Sequence, residues 1–148
     1  MYRYRDGELE VLLGHPGGPF WAKKDLSAWS IPKGEFASDE DALVAAIREF
    51  EEETGHRVTG EFTPLSSVRQ SGGKIVHAWA VPGDIDADRI TSNTFTLEWP
   101  PRSGKTAEFA EIDRAAWFTI DEARKRIAAG QIPLLDELVH ILSPSTGR

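Results

Sequence analysis

The sequence predicts an α/β fold, with helices layered on a mixed β-sheet. Three observations predict it. Short apolar or alternating segments bounded by Gly and Pro recur along the chain. One long helical segment interrupts them. Two more helical segments follow near the end, so strands and helices must share a core. With 148 residues, 40% hydrophobic and 28% charged, the chain has the size and composition of one domain spanning 1–148.

The elements follow in order. Met1–Arg5 (MYRYR) leaves room only for a short first strand. Gly7–Gly14 (GELEVLLG) reads as a strand through Val11, Leu12 and Leu13. His15–Asp25 (HPGGPFWAKKD) is rich in Pro and Gly and reads as a loop. Ala28–Pro32 (AWSIP) is a short extended piece. Ser38 followed by Asp41 matches a loose capping box, and Asp39, Glu40 and Asp41 suit the positive end of a helix dipole. Gly55 supplies the stop, so the helix is expected over about Asp39–Thr54. Pro64–Pro82 reads as two strands around a Ser71-Gly72-Gly73 turn. Asn93–Trp99 alternates as a strand, Pro100–Lys105 breaks it, and Glu111–Thr119 is strand-like. Ile120–Ala129 and Pro133–Leu142 have helical spacing, with Pro133 suited to a first turn.

Composition removes several function classes. There is no Cys, which excludes disulfides, thiolate nucleophiles and Cys-ligated zinc, and which fits a reducing compartment. No apolar run approaches the roughly 20 residues that span a bilayer. The first residues lack the pattern of a signal peptide, so cytoplasm is the expected location. The net charge of -7 leaves no global basic footprint for a nucleic-acid duplex. It also means that an anionic small substrate needs local cations or a bound metal.

The segment Arg48–Gly55 (REFEEETG) concentrates four glutamates. Like charges three or four residues apart weaken a helix by a few tenths of a kcal/mol per pair. At about 100° per residue, Leu43, Ile47, Phe50 and Thr54 form the stripe expected to pack on the sheet. Glu49, Glu52 and Glu53 gather on the other side, Glu51 points elsewhere, and Arg48 can pair with Glu52 one turn on. Ala42 and Ala45 flank the acids and are small enough for a ligand to come close. A plain solvated face is the ordinary reading of such a run. Three convergent carboxylates also make an oxygen-rich site for a hard divalent cation, whose charge would offset the repulsion. The preceding Gly34 allows close backbone approach, and Lys33 can meet a phosphate.

These residues resemble the Nudix box of the Nudix hydrolases. Gly34, five residues, Glu40, seven residues, then Arg48 to Gly55 reproduce every charged and glycine position of that motif, which covers Gly34–His56. His56 stands where the family usually has an aliphatic residue, with packing rather than chemistry the expected consequence. The resemblance implies a Nudix-like α/β/α sandwich with a mixed β-sheet, and hydrolysis of a nucleoside diphosphate linked to a further group. It implies Mg²⁺ or Mn²⁺ held by Glu49, Glu52 and Glu53, with the Gly34 carbonyl as an added ligand. It makes Glu40 and Arg48 the pair that supports the box. A further acid often comes from outside the box; Glu111 is the first candidate and Glu108 the second. Glu49, Glu53 and Glu111 all remain open as general base.

The lead-in to the box, Trp29–Glu35 (WSIPKGE), resembles that of diadenosine polyphosphate and diphosphoinositol phosphate hydrolases, where Lys33 would touch a phosphate. Lys23, Lys24, Arg69, Arg102 and Lys105 are further candidate cations, and Phe20, Trp21 and Trp99 are candidates for stacking on a base. His15 and His77 are candidates near phosphate, although a strand histidine is more often structural. The alternative to an enzyme is a non-catalytic nucleotide-binding module, against which the intact acid set argues. A protein-interaction domain with an acidic face is a third reading. Homodimers are common in the family, but nothing in this chain demands one.

Overall fold

The computed structural model describes residues 1–32, 41–69 and 75–143. Along the chain come β1 (Tyr2–Arg5), β2 (Glu8–Pro16), α1 (Ala42–Thr54), β3 (Thr63–Pro64), β4 (Val68–Arg69), β5 (Ile75–Val76), β6 (Trp79–Ala80), β7 (Thr94–Glu98), β8 (Thr106–Ala110), β9 (Ile112–Thr119), α2 (Ile120–Arg126) and α3 (Ile132–Leu142). The spine is an antiparallel ladder in the order β1-β2-β9. β1 and β2 are joined by Asp6 and Gly7, both at positive φ (52° and 81°). That pair of conformations matches the right-handed twist of a two-residue hairpin.

The pleat of β2 builds the layers. Alternate side chains point to opposite faces. Leu12 faces α1, in a cluster with Phe50, Val58, Val81 and Ala115. Val11 and Leu13 face α2 and α3, packed with Trp29, Ala123, Ile127, Leu135 and Leu138. Each fully buried Leu contributes roughly 1.5–3 kcal/mol of transfer free energy. One strand thus has a helical layer on each side, which is the α/β/α sandwich. The sheet is mixed because Tyr2 meets Pro82 in a parallel bridge, with Tyr2 N–H donating to Val81 O and Gly83 N–H to Tyr2 O, both at 3.0 Å.

Several expectations need correction. α1 begins at Ala42 rather than Asp39. Its N-cap is Asp41, whose carboxylate accepts from Val44 N–H at 3.2 Å. One side chain cannot both cap the helix and lie in its first turn. Ser38, Asp39 and the Ser71-Gly72-Gly73 turn lie outside the described residues. β2 continues through His15 and Pro16, which the sequence assigned to a loop, because β9 supplies a partner as far as Ile112. β8 was not anticipated: its five residues, TAEFA, carry one large apolar side chain. α2 stops at Arg126 because Ile127 leaves the helix, fully buried, to form a parallel bridge with Trp29. The hairpin between Pro64 and Pro82 is present as the pairs β3–β6 and β4–β5. No helix among the described residues is long and apolar enough to cross a membrane.

Candidate active site

Three of the four glutamates on α1 sit as the helical spacing requires, but two are more deeply buried than expected. Glu49 and Glu53 are one turn apart, only 9% and 5% exposed, while Glu52 is half-buried between them. Ala45 on the same face is buried as well, so protein occupies the close approach expected of a ligand there. The stripe of Ile47 and Phe50 packs on Leu12 and Val58 as predicted. The Thr54 hydroxyl donates to Phe50 O at 2.7 Å. Glu51 points outward and lies 3.8 Å from Arg57.

Arg48 organises two of the acids. One guanidinium nitrogen lies 3.2 Å from a carboxylate oxygen of Glu49 and 3.2 Å from one of Glu52. A guanidinium is a rigid fork that stays charged, so it can hold two carboxylates in one orientation. Glu40, the partner that the motif implies for Arg48, lies outside the described residues. So do Lys33 and Gly34.

The end of α1 is fixed by a neighbouring strand of loop. Gly55 adopts φ 76° and donates its N–H to Glu51 O at 2.7 Å, the left-handed helix stop. Thr91 N–H donates to Thr54 O (2.9 Å) and Asn93 N–H to Glu52 O (2.7 Å), satisfying carbonyls that a helix end leaves open. Asn93 O in turn accepts from Glu111 N–H (2.9 Å), and Glu111 O accepts from Gly17 N–H (3.0 Å). Glu111 therefore stands two backbone hydrogen bonds from Glu52, with an exposed side chain. Glu108 is exposed on β8, paired in register with Thr96.

Gly17 also starts a rim. A Cβ there would overlap the Ala110 carbonyl oxygen, and one on Gly18 (φ 95°) would lie 3.0 Å from the Phe95 ring. These glycines let the loop after β2 lie against the β7–β8 hairpin. Further out, Phe20 meets Trp99 edge-to-face at 5.6 Å between centroids. The Lys24 ammonium lies 4.9 Å from the Trp21 ring centre. Lys23 is exposed beside them. Arg69 is exposed on β4, on the separate β4–β5 hairpin. His77 is exposed between β5 and β6.

Two histidine positions are structural. His15 is fully buried; its Nε2 donates to the Lys24 carbonyl at 2.6 Å, and its Nδ1 lies 2.9 Å from an Asp113 carboxylate oxygen. His56 Nε2 donates to Arg89 O at 2.8 Å. One residue escaped the sequence reading. Gln131 is fully buried, and its amide oxygen accepts from Ile31 N–H (3.0 Å) while its amide nitrogen donates to the Ser30 hydroxyl (2.9 Å). It fixes the strand that leads into Pro32 from 100 residues away in the chain. No local pattern marks such a residue.

The donor set of Glu49, Glu52 and Glu53 is all carboxylate oxygen, which suits a hard divalent cation such as Mg²⁺ or Mn²⁺. Among the described residues no three His, Asp or Glu side chains converge closely enough to enclose one, with Arg48 spanning Glu49 and Glu52.

The NUDIX domain family model matches residues 2–138. The chain is 29% identical over 101 residues to the mRNA-decapping protein g5R of African swine fever virus (isolate Warthog/Namibia/Wart80/1980). That match covers 65% of this chain and 39% of the viral protein, so it spans about two fifths of that relative's length. Among solved structures, a C. elegans Ap4A hydrolase in a binary complex is similar over 95% of this chain and 91% of its own, with TM-score 0.65 and 24% identity. The NUDIX domain of Shewanella oneidensis NrtR, complexed with ADP ribose, is similar over 96% and 83%, with TM-score 0.65 and 20% identity. Both likenesses are of fold.

Proposed function

We infer what this chain does from the premise that it belongs to the NUDIX domain family. The chain is a pyrophosphohydrolase: with water, it cleaves a phosphoanhydride bond in a nucleoside diphosphate linked to a further group. Dinucleoside polyphosphates are the first substrates to try, because of the Pro32-Lys33-Gly34 lead-in to the box. The observation that carries the reading is Glu49 and Glu53, buried one turn apart on α1 with Glu52 beside them. Burying carboxylates is costly. A helix that needed only solubility would leave them in water.

Glu49, Glu52 and Glu53 would hold Mg²⁺ or Mn²⁺, with the Gly34 carbonyl and Glu111 as added ligands. Bound there, the metal neutralises charge on adjacent phosphate oxygens and lowers the pKa of water. Arg48 sets the orientation of Glu49 and Glu52, supported by Glu40. One carboxylate among Glu49, Glu53 and Glu111 takes the proton from the attacking water. Lys33, Lys23 and Arg69 are assigned to the phosphates, and Phe20, Trp21 and Trp99 to a base. Cytoplasm is the proposed location, in keeping with a chain free of Cys.

The test is hydrolysis of a panel of dinucleoside polyphosphates, nucleotide sugars, nucleoside triphosphates and diphosphoinositols with Mg²⁺. Glu52→Gln and Glu53→Gln should each lower kcat about 10²-fold or more on any substrate cleaved, since each removes charge from the site that stabilises the transition state. Variants that stay folded and fully active would overturn the assignment. Tight nucleotide binding with no turnover across the panel would favour the non-catalytic module instead.

A further inference from the structure

Inside the sandwich the packing is incomplete. A cavity of about 100 Å³ is lined by members of both core clusters, Leu12 and Phe50 from one and Leu13 and Leu138 from the other. α1 and α3 both contribute to its wall, through Leu43 and Ile47 and through Leu134 and Leu135. Native interiors are packed like organic crystals, with few voids larger than a water molecule. One water needs only about 10–15 Å³. A void several times that size leaves its walls without contacts and lowers stability. A chain that keeps such a void is stabilised by whatever binds there in the folded state alone.

The walls select the ligand. Among the described residues, none that lines the cavity is Asp, Glu, Lys or Arg. A charged group would lose its water there without a partner. Water itself needs two to four polar partners, and cavities walled by Leu, Ile and Phe stay dry. A dry cavity of about 150 Å³ holds benzene or xenon. One of about 100 Å³ therefore suits a hydrocarbon of benzene size or slightly less. Pockets for larger ligands run to about 300–1,000 Å³, so a nucleotide does not fit. Neither Glu49, Glu52 nor Glu53 lines this space.

The wall is closed in one part and open in another. Leu12, Leu13, Leu134 and Leu135 are at most 3% exposed. Pro32, Leu43, Ile47 and Trp79 are half-buried. Part of the wall thus borders solvent, and a small ligand can enter there without unfolding of the core. Three small side chains, Ala46, Ala78 and Ala80, stand on the wall where larger apolar residues would fill the space.

We propose that this cavity is a binding site for a small uncharged hydrocarbon, one aromatic ring or an aliphatic group of similar size. Its occupant touches the helix of the acids and the closing helix at once. The proposal is independent of the hydrolase reading above.

The experiment is titration calorimetry and thermal unfolding of the full chain with benzene, in the absence of metal and nucleotide. The expected result is saturable binding of one benzene per chain. At ten times its Kd the unfolding equilibrium constant should fall about tenfold. Benzoate, the same ring with a charge, should bind about tenfold or more weaker, because the carboxylate must lose its water. Ala46→Leu, and Ala78→Val as the smaller change on another part of the wall, place side-chain atoms where the ligand would lie. Each should weaken benzene binding about tenfold or more, since a packed interior has no spare room for both. No saturable binding to wild type overturns the proposal, because the chain then closes the space by itself. Binding that the folded variants retain in full overturns the location, and benzoate binding as tight as benzene overturns the ligand class.

Discussion

A single amide shows how one residue can hold a segment a hundred positions away in the chain. Gln131 holds Ser30 and Ile31, the extended segment just before Pro32. Replacing it with Leu keeps the volume but leaves the Ile31 N–H without that acceptor. An unmet buried donor costs about 1–3 kcal/mol. Gln131→Leu should therefore lower stability by that amount in urea unfolding, and a change below about 0.5 kcal/mol, the range of an ordinary surface substitution, would show that water replaces the amide. Arg48 is the residue of the opposite kind. It was legible from spacing alone, because position i+4 on a helix is a neighbour whatever surrounds it.

Among the elements, α1 and its stop carry the most chemistry. Gly55 combines a left-handed φ with close neighbours: a Cβ would lie 3.0 Å from Thr91 O and 3.1 Å from Thr91 Cβ. Gly55→Ala thus adds strain and crowding at the loop that bonds Glu52 and Glu111. A residue held at positive φ costs of order 1–3 kcal/mol, and a similar loss of stability is expected, with activity falling as well. Asp41→Ala should cost about 0.5–2 kcal/mol through the lost cap and leave the end of α1 in place. Circular dichroism melts check both losses of stability; activity separates the two, and equal effects on it would contradict the assignment of the site to the C-terminal half of the helix. The rim loop depends on Gly17 through space alone, since a Cβ there would overlap the Ala110 carbonyl oxygen.

For the molecule as a whole, the sandwich predicts a difference between neighbours on β2. Leu12 supports α1 and Leu13 supports α2 and α3. Either truncation to Ala should cost about 2–5 kcal/mol. Only Leu12→Ala should also weaken Mn²⁺ binding, because it loosens the layer that carries the glutamates. Titration of folded protein with Mn²⁺ decides this: equal affinities in the two variants would mean that the sheet transmits nothing to α1.

The helix of acids, its Gly stop, most strands and the closing helices were all readable in the sequence, because capping, periodicity and turn chemistry act over three or four residues. The motif was readable for the same reason, as a fixed local spacing. β8, the early end of α2 at Ile127, the burial of Glu49 and Glu53, and the joining of Phe20 to Trp99 were not. Three of these depend on a partner outside the element itself: β7 for β8, Trp29 for Ile127, and the β7–β8 hairpin for Phe20. The sequence by itself determined which groups could do chemistry and on which side of one helix they lie. Tertiary structure alone decided what stands opposite them, because burial and long-range hydrogen bonds belong to pairs of distant segments and leave no periodic trace in either one.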